Sequence, residues 1–262
     1  MRSPRSLPAT THGIFQNPRK SRAWERAIHS EQARRTVRRG HRLPFWRGRP
    51  PRPFWQKAYP VDKKLHGSFQ QERKRLVEQG SWVACEVQDG DELVRRGCCI
   101  SPSFAVPRKS PTEARIIADM RRINTTVHKT SLRMEGLRIV PRLARRGYYA
   151  ASLDISDHFM HVGIARDHWK YMVLDLGPPT EGEISVENPR FVYVVVLPMG
   201  YTNSPAVIGK VMTGVVRACR ERGVRLVTYA DDWLVLGATA EETAELEPVW
   251  RRSRVATGDQ LT

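Results

Sequence analysis

The chain has 262 residues, 40% of them hydrophobic, and a formal net charge of +17. That length permits a real core in one large or two modest domains. With no apolar run near membrane-span length, no signal-like N-terminal segment and no CxxC pair among its four cysteines, it reads as neither a membrane protein, a disulfide-framed module nor a zinc ribbon, and an intracellular setting, cytoplasm or nucleus, is expected.

The charge is unevenly placed. Residues 1–60 hold fifteen Lys or Arg against two Glu, a surplus of thirteen. The rest of the chain is nearly balanced. Arg42-Leu-Pro-Phe-Trp-Arg-Gly-Arg-Pro-Pro-Arg-Pro-Phe-Trp55 keeps neither a helical nor a strand period. Residues 1–60 therefore read as a mostly disordered basic arm. It is either a solvated linker or an arm whose Arg and Lys meet phosphates while Trp and Phe stack on bases.

From about residue 66 the pattern becomes periodic. Ser68 is positioned to cap a helix through Glu72, Leu76 and Val77 that stops at Gly80. Trp82–Val87 reads as a strand. Residues 104–124, "FAVPRKSPTEARIIADMRRIN", read as two strands about a turn at Ser110-Pro111-Thr112, the second holding Ile116 and Ile117. A helix is expected from about Arg133 to Arg146. Tyr148–Ile155 is a β-rich run containing Asp154. Residues 190–197, "RFVYVVVL", form a β-branched strand. It leads through Pro198-Met-Gly-Tyr-Thr-Asn to a helix capped by Ser204, with Pro205 in its first turn. Val207, Ile208, Val211, Met212, Val215 and Cys219 repeat at helical spacing, and Gly223 ends the element. Residues 224–229 and 233–236 make a hairpin. The fold class is α+β.

That hairpin poses the chemical question, because Asp231 and Asp232 are adjacent acids between apolar runs. Buried and unpaired, they would be costly. Asp154 ends another strand 77 residues earlier. If the strands are neighbours, three carboxylates meet at one sheet edge and need cations among them. Hard oxygen donors at a hydrated site suit Mg²⁺, with Mn²⁺ as the substitute ion. Two such ions about 3.5–4 Å apart can activate a hydroxyl and stabilise a leaving phosphate oxygen. An isolated Asp-Asp pair is more commonly a solvated turn, so the reading depends on its companions. Phe159, five residues after Asp154, is either core or a group that crowds a sugar. Pro198–Pro205 is either an ordinary strand–helix junction or a shaped turn. Lys109 and Arg115 are either a solvated basic face or partners for a triphosphate. Asp119, Arg121, Arg122 and Asn124 make a polar end to an apolar strand.

Four blocks occur in the order found in reverse transcriptases. "ARIIADMRRIN" (114–124) resembles their fingers block, "SLDISDHFMHVGI" (152–164) their motif A, "VLPMGYTNSPAV" (196–207) their motif B and "YADD" (229–232) their motif C. The likeness covers roughly residues 66–240. In "LVEQG", "DDWLV" and general style it is most similar to tyrosine-recombinase retrotransposons, with LTR retrotransposons second. The resemblance implies a right-hand polymerase fold with fingers and palm. It implies that Asp154, Asp231 and Asp232 hold two Mg²⁺, with the Ile155 carbonyl as a further ligand. Lys109 and Arg115 would bind the incoming deoxynucleoside triphosphate, helped by the backbone N–H groups of Asp157 and His158. Phe159 would favour deoxynucleotides, Met199 and Gly200 would shape the nucleotide pocket, and Tyr229 would touch the primer end. The partners implied are an RNA/DNA template-primer and dNTPs, with no membrane.

The sequence departs from the family at His158, where a small residue is usual, and at Ser110-Pro111-Thr112-Glu113, where the usual Asp-Gly turn is missing. Arg108 is therefore the alternative to Lys109. The expected organisation is a basic arm at 1–60, a fingers-like region at 61–150, a palm at 151–240 and an irregular tail at 241–262, with no thumb and no RNase H or recombinase segment. Two functions follow: a reverse-transcriptase-like nucleotidyltransferase, or a truncated, inactive retroelement remnant that binds nucleic acid. An RNA-directed RNA polymerase uses a similar acid layout, and Phe159 argues against it.

Overall fold

A computed structural model describes residues 28, 30–108, 110–132, 134–179, 182–240 and 243. Lys109, the first 27 residues of the arm and nearly all of the tail lie outside the described residues. The chain separates into two compact units, and neither is continuous in sequence. Among the described residues, one holds Arg35–Lys129 and Phe159–Ser204; the other holds those of Arg22–Arg34, Thr130–His158 and those of Pro205–Thr262.

The first unit is built on a six-stranded mixed sheet in the order β1-β3-β6-β7-β2, with β4 paired to β3. The strands are β1 (Phe54–Trp55), β2 (Trp82–Ala84), β3 (Cys99–Pro107), β4 (Ala114–Ala118), β6 (Val173–Asp175) and β7 (Phe191–Val194). Strand β3 changes partner along its length. Ile100–Pro102 pair in parallel with β6, whereas Ser103–Pro107 pair antiparallel with β4. Pro102 stands at the change, where its missing N–H removes one ladder donor. The β3–β4 hairpin closes through the Arg108 N–H to the Glu113 carbonyl at 2.8 Å.

Helix α2 (His66–Glu78) buries Phe69, Arg73 and Leu76, one face at helical spacing. No side chain caps its start. Ser68 instead donates its hydroxyl to the Leu65 carbonyl and accepts the Ala114 N–H, tying the helix to β4. Arg73 is only 1% exposed. Its guanidinium donates to the Pro189 carbonyl, and burial lowers its pKa to about 10 despite nearby Asp175. Asp175, fully buried, accepts from the Trp55 indole at 2.9 Å and from Arg190 at 3.1 and 3.2 Å. Helix α3 (Gly90–Arg95) starts where Asp89 accepts the Glu92 N–H. A short helix, α4 (Arg121–Asn124), follows β4.

The disordered arm expected over 1–60 is corrected for its described part. Glu31–Arg39 form helix α1, in which Ala33 and Val37, four residues apart, are buried. Phe54 and Trp55 join the sheet beside β3. Arg and Pro dominate the composition there, but a few apolar anchors suffice to dock the segment.

The second unit is built on a three-stranded antiparallel sheet in the order β5-β9-β8. These are β5 (Tyr149–Asp154), β8 (Arg225–Tyr229) and β9 (Asp232–Gly237). Ala151 and Leu153 of β5 are buried while Ser152 and Asp154 are exposed, so the strand has one core face and one wet face. Helix α6 (Ser204–Glu221) buries Ile208, Val211, Met212 and Val215 along one stripe. The helix expected at 133–146 is much shorter. A 3₁₀ turn at Leu137–Ile139 runs into α5 (Val140–Leu143), and Ala144 is already extended. Pro141 is tolerated in the first turn, but the segment is too short to propagate.

Candidate active site

Strands β5 and β9 pair so that Asp154 lies directly opposite Asp232, and Leu153 opposite Trp233. Directly opposed residues project to the same face. Leu153 and Trp233 take the buried face; Asp154 and Asp232 take the exposed one. Asp231 occupies the two-residue turn between β8 and β9, and its carbonyl accepts the N–H of buried Ile155 at 3.0 Å. That bond carries the ladder one residue beyond β5 and fixes Asp231 beside the end of the strand. Ala230, the first turn residue, has φ +53°, the left-handed backbone that tight hairpins require at that position. All three acids are exposed, so they sit side by side without the cost of burial.

The donor chemistry suits a hard divalent cation that keeps part of its water shell, since it consists of carboxylates on a wet edge. Among the described residues no group of three His, Cys, Asp or Glu is gathered so as to hold a metal ion. The backbone register nevertheless brings the acids to one edge. Tyr229, 55% exposed, is the residue paired with Asp232 across the hairpin. Asp157 has φ +52°, a left-handed backbone that Asp tolerates better than most residues. His158 is buried at 8% exposure and opens the 3₁₀ turn His158–His161.

The other expected residues belong to the first unit. Phe159 is half-buried in that 3₁₀ turn. Arg115 is exposed on β4, opposite Val106. Arg108, the alternative to Lys109, pairs with Glu72 at 3.3 Å. Met199 and Gly200 form an exposed turn after β7.

That turn is held from several sides. The Asn124 side chain donates to the Gly200 carbonyl at 2.8 Å and accepts the Thr202 N–H at 2.9 Å. Ser204 donates its hydroxyl to the Pro198 carbonyl, and Asn203 donates to the His128 carbonyl. Gly200 has φ +100°, and a Cβ there would run into the Ala118 carbonyl oxygen. Residues 118–124 and 198–204 are therefore tied to each other. In the sequence, Asn124 is only part of a polar strand end. A carboxamide 76 residues from the Gly-Tyr-Thr turn it clamps carries no local sign of its partner.

Nearby, Asp119 accepts from the Arg121 guanidinium at 2.9 and 2.6 Å and from the Tyr59 hydroxyl at 3.1 Å. Arg121 holds the Asp119 carboxyl down at about 2. The pair is a fixed charge couple, not a titrating acid near neutrality.

A family model described as "Reverse transcriptase (RNA-dependent DNA polymerase)" matches residues 106–253. The chain is 23% identical over 211 residues to the Gag-Pro-Pol polyprotein of Simian retrovirus SRV-2, covering 80% of this chain and 11% of that one. It is also similar to crystal structures of the prototype foamy virus protease-reverse transcriptase. The selenomethionine-labelled CSH mutant gives a TM-score of 0.56 at 23% identity, over 78% of this chain and 24% of that one. The native form gives 0.57 at 21%, over 81% and 25%. These likenesses show the fold, α+β with palm and fingers. The chain spans about a tenth of the viral polyprotein and about a quarter of the foamy virus chains. These relatives are retroviral, and none of them singles out the tyrosine-recombinase class.

Proposed function

The chain belongs to the reverse transcriptase family, and on that footing we propose that it adds deoxynucleotides to a primer 3′-hydroxyl on an RNA or DNA template. The observation that carries the proposal is the register that sets Asp154 opposite Asp232, with Asp231 tied to the end of the same strand through Ile155. In the reaction the primer 3′-oxygen attacks the α-phosphorus of a dNTP. The new phosphodiester bond forms as the bond to pyrophosphate breaks, and the hydroxyl proton leaves to solvent or a nearby base.

The family is generally dependent on divalent metal. Here Asp154, Asp231 and Asp232, with the Ile155 carbonyl, would hold Mg²⁺ or Mn²⁺, two ions in the full arrangement, which supply charge neutralisation and an acidified hydroxyl. The chain's own groups do the positioning. Arg115 would bind the triphosphate, a role its exposure on β4 supports, with Lys109, outside the described residues, as the second cation the resemblance implies. The backbone N–H groups of Asp157 and His158 assist. Phe159 stands against the sugar, the clamped Met199-Gly200 turn shapes the base pocket, and exposed Tyr229 meets the primer end. Catalysis comes from orientation and charge stabilisation rather than from covalent chemistry. The setting we infer is inside a cell, cytoplasm or nucleus. Cys85, Cys98, Cys99 and Cys219 are all free thiols, and among the described residues no helix is long and apolar enough to cross a membrane.

The second reading is nucleic-acid binding without turnover. Primer extension on an RNA template with Mg²⁺ and dNTPs, wild type beside Asp231→Asn, separates the two. Polymerase chemistry predicts incorporation that falls by about 100-fold or more in the variant. No incorporation by wild type, with salt-sensitive RNA binding kept, supports the binding-only reading. Phe159→Ala should raise ribonucleotide use relative to deoxynucleotide by about tenfold or more. Efficient NTP use by wild type would instead make the chain an RNA polymerase.

A further inference from the structure

The second unit's sheet is electrically polar. Its acids occupy one end. At the other end, Arg145 and Arg146 lie in the turn that feeds β5, closed by the Tyr148 N–H to the Arg145 carbonyl at 3.0 Å. Arg225 begins β8 opposite Leu236, which is itself opposite Ala150, so it stands at the same level as the start of β5. Its guanidinium lies 5.2 Å from the Tyr148 ring centre. Arg138 and Arg142, one helical turn apart, precede this corner on the 3₁₀ turn and α5, and α5 packs beside β8.

Arg138, Arg142, Arg145 and Arg146 are exposed, and no described acid pairs with them. Other arginines of the unit are occupied: Arg217 pairs with Glu221 at 2.8 Å and Arg220 with Glu135 at 2.6 Å. Glu135, the acid nearest in sequence, is already committed to Arg220 and to the Thr228 N–H. Four like charges within nine residues of chain, with no described acid as partner, repel one another unless an anion covers them. Planar forked donors suit phosphate oxygens, and an array spread along residues 138–146 suits a polymer of phosphates better than a single ion.

We propose that this arginine corner is a second nucleic-acid contact, gripping the sugar-phosphate backbone away from the acid edge. Strand β5 fixes the separation. Its six residues give about 17 Å between the two ends, which is about five nucleotide steps of a duplex. The corner therefore takes backbone, not the reacting end, and it carries no sequence selectivity. This inference rests on surface charge and not on turnover, so a chain that failed to polymerise would still bind here.

The test uses the full chain and a triple variant, Arg142→Gln, Arg145→Gln and Arg146→Gln, with Arg95→Gln and Arg96→Gln as the control pair. Both sets are surface changes, and matched thermal melting confirms that each variant folds. Binding of a labelled RNA/DNA hybrid is followed by fluorescence anisotropy across salt. If three phosphate contacts are lost, the slope of log K against log salt becomes shallower by about 2.7, so that between about 50 and about 200 mM salt the triple variant loses about 40-fold less affinity than wild type does. The control pair should match wild type. An unchanged slope and affinity in the triple variant would overturn the proposal. So would a loss confined to phosphatidylserine vesicles or polyglutamate while hybrid binding stays intact.

Discussion

Asp119 shows how a single side chain can carry an acid-sensitive part of the fold. Arg121 and Tyr59 hold its pKa near 2, below the roughly 3.9 of an unfolded Asp. Its contribution is therefore fully present above pH ~4 and is lost as pH falls toward ~2. Arg121 is mostly exposed, with 82% of its side chain open to solvent, so screening limits the pair to roughly 1 kcal/mol. Asp119→Asn should be less stable by that amount at neutral pH and show a flatter acid limb in urea midpoints measured against pH. The buried Arg73 behaves oppositely. Its Nε and Nη1 have no hydrogen-bond partner among the described residues. Arg73→Met removes a poorly satisfied buried cation and should be neutral or stabilising. Asp175→Ala strands Arg190 and Arg73 together and should cost about 3 kcal/mol or more, read as a fall in denaturation midpoint.

At the scale of elements, the pairing of β5 with β9 sets two like charges directly across from each other, which destabilises an antiparallel sheet by up to about 1 kcal/mol. Asp232→Asn should therefore raise the melting temperature by about 2–4 °C in the absence of metal, while removing activity. Mg²⁺ should raise the melting temperature of wild type and much less that of the variant, as differential scanning fluorimetry would show. Equal response of both proteins to Mg²⁺ would count against the acids as ligands. These strands and the α6 stripe were legible in the sequence because their signals are local: period-two burial, a tight turn, and apolar residues at helical spacing. Strands β1 and β6 were not. Each has two or three residues, and only distant partners define it as a strand. The long helix expected around Arg138 rested on good helix formers, but only Val140–Leu143 stay helical and Ala144 is already extended, leaving too short a segment to propagate. Asn124's clamp on Gly200 was invisible because its partners lie about 76 residues away.

For the whole molecule, the basic arm divides into a structural and an unassigned portion. Deleting residues 1–60 would remove β1 together with the Trp55 indole that donates to buried Asp175. The product should melt early or fail to fold. Deleting only residues 1–27 removes six Lys or Arg and one Glu and leaves the described sheet intact. If those charges meet phosphates, this shorter deletion flattens the salt dependence of nucleic-acid binding by up to about 5 in slope. A slope identical to that of the intact chain would reduce residues 1–27 to a linker.

Gly200 sets a rule for how far this protein can drift. Its left-handed backbone and the Ala118 oxygen where any Cβ would stand leave no room for a second amino acid. In a library randomised at that codon and selected for folded product, survivors should encode glycine alone, whatever their neighbours tolerate. The same position would be an early casualty in any copy of the gene released from selection.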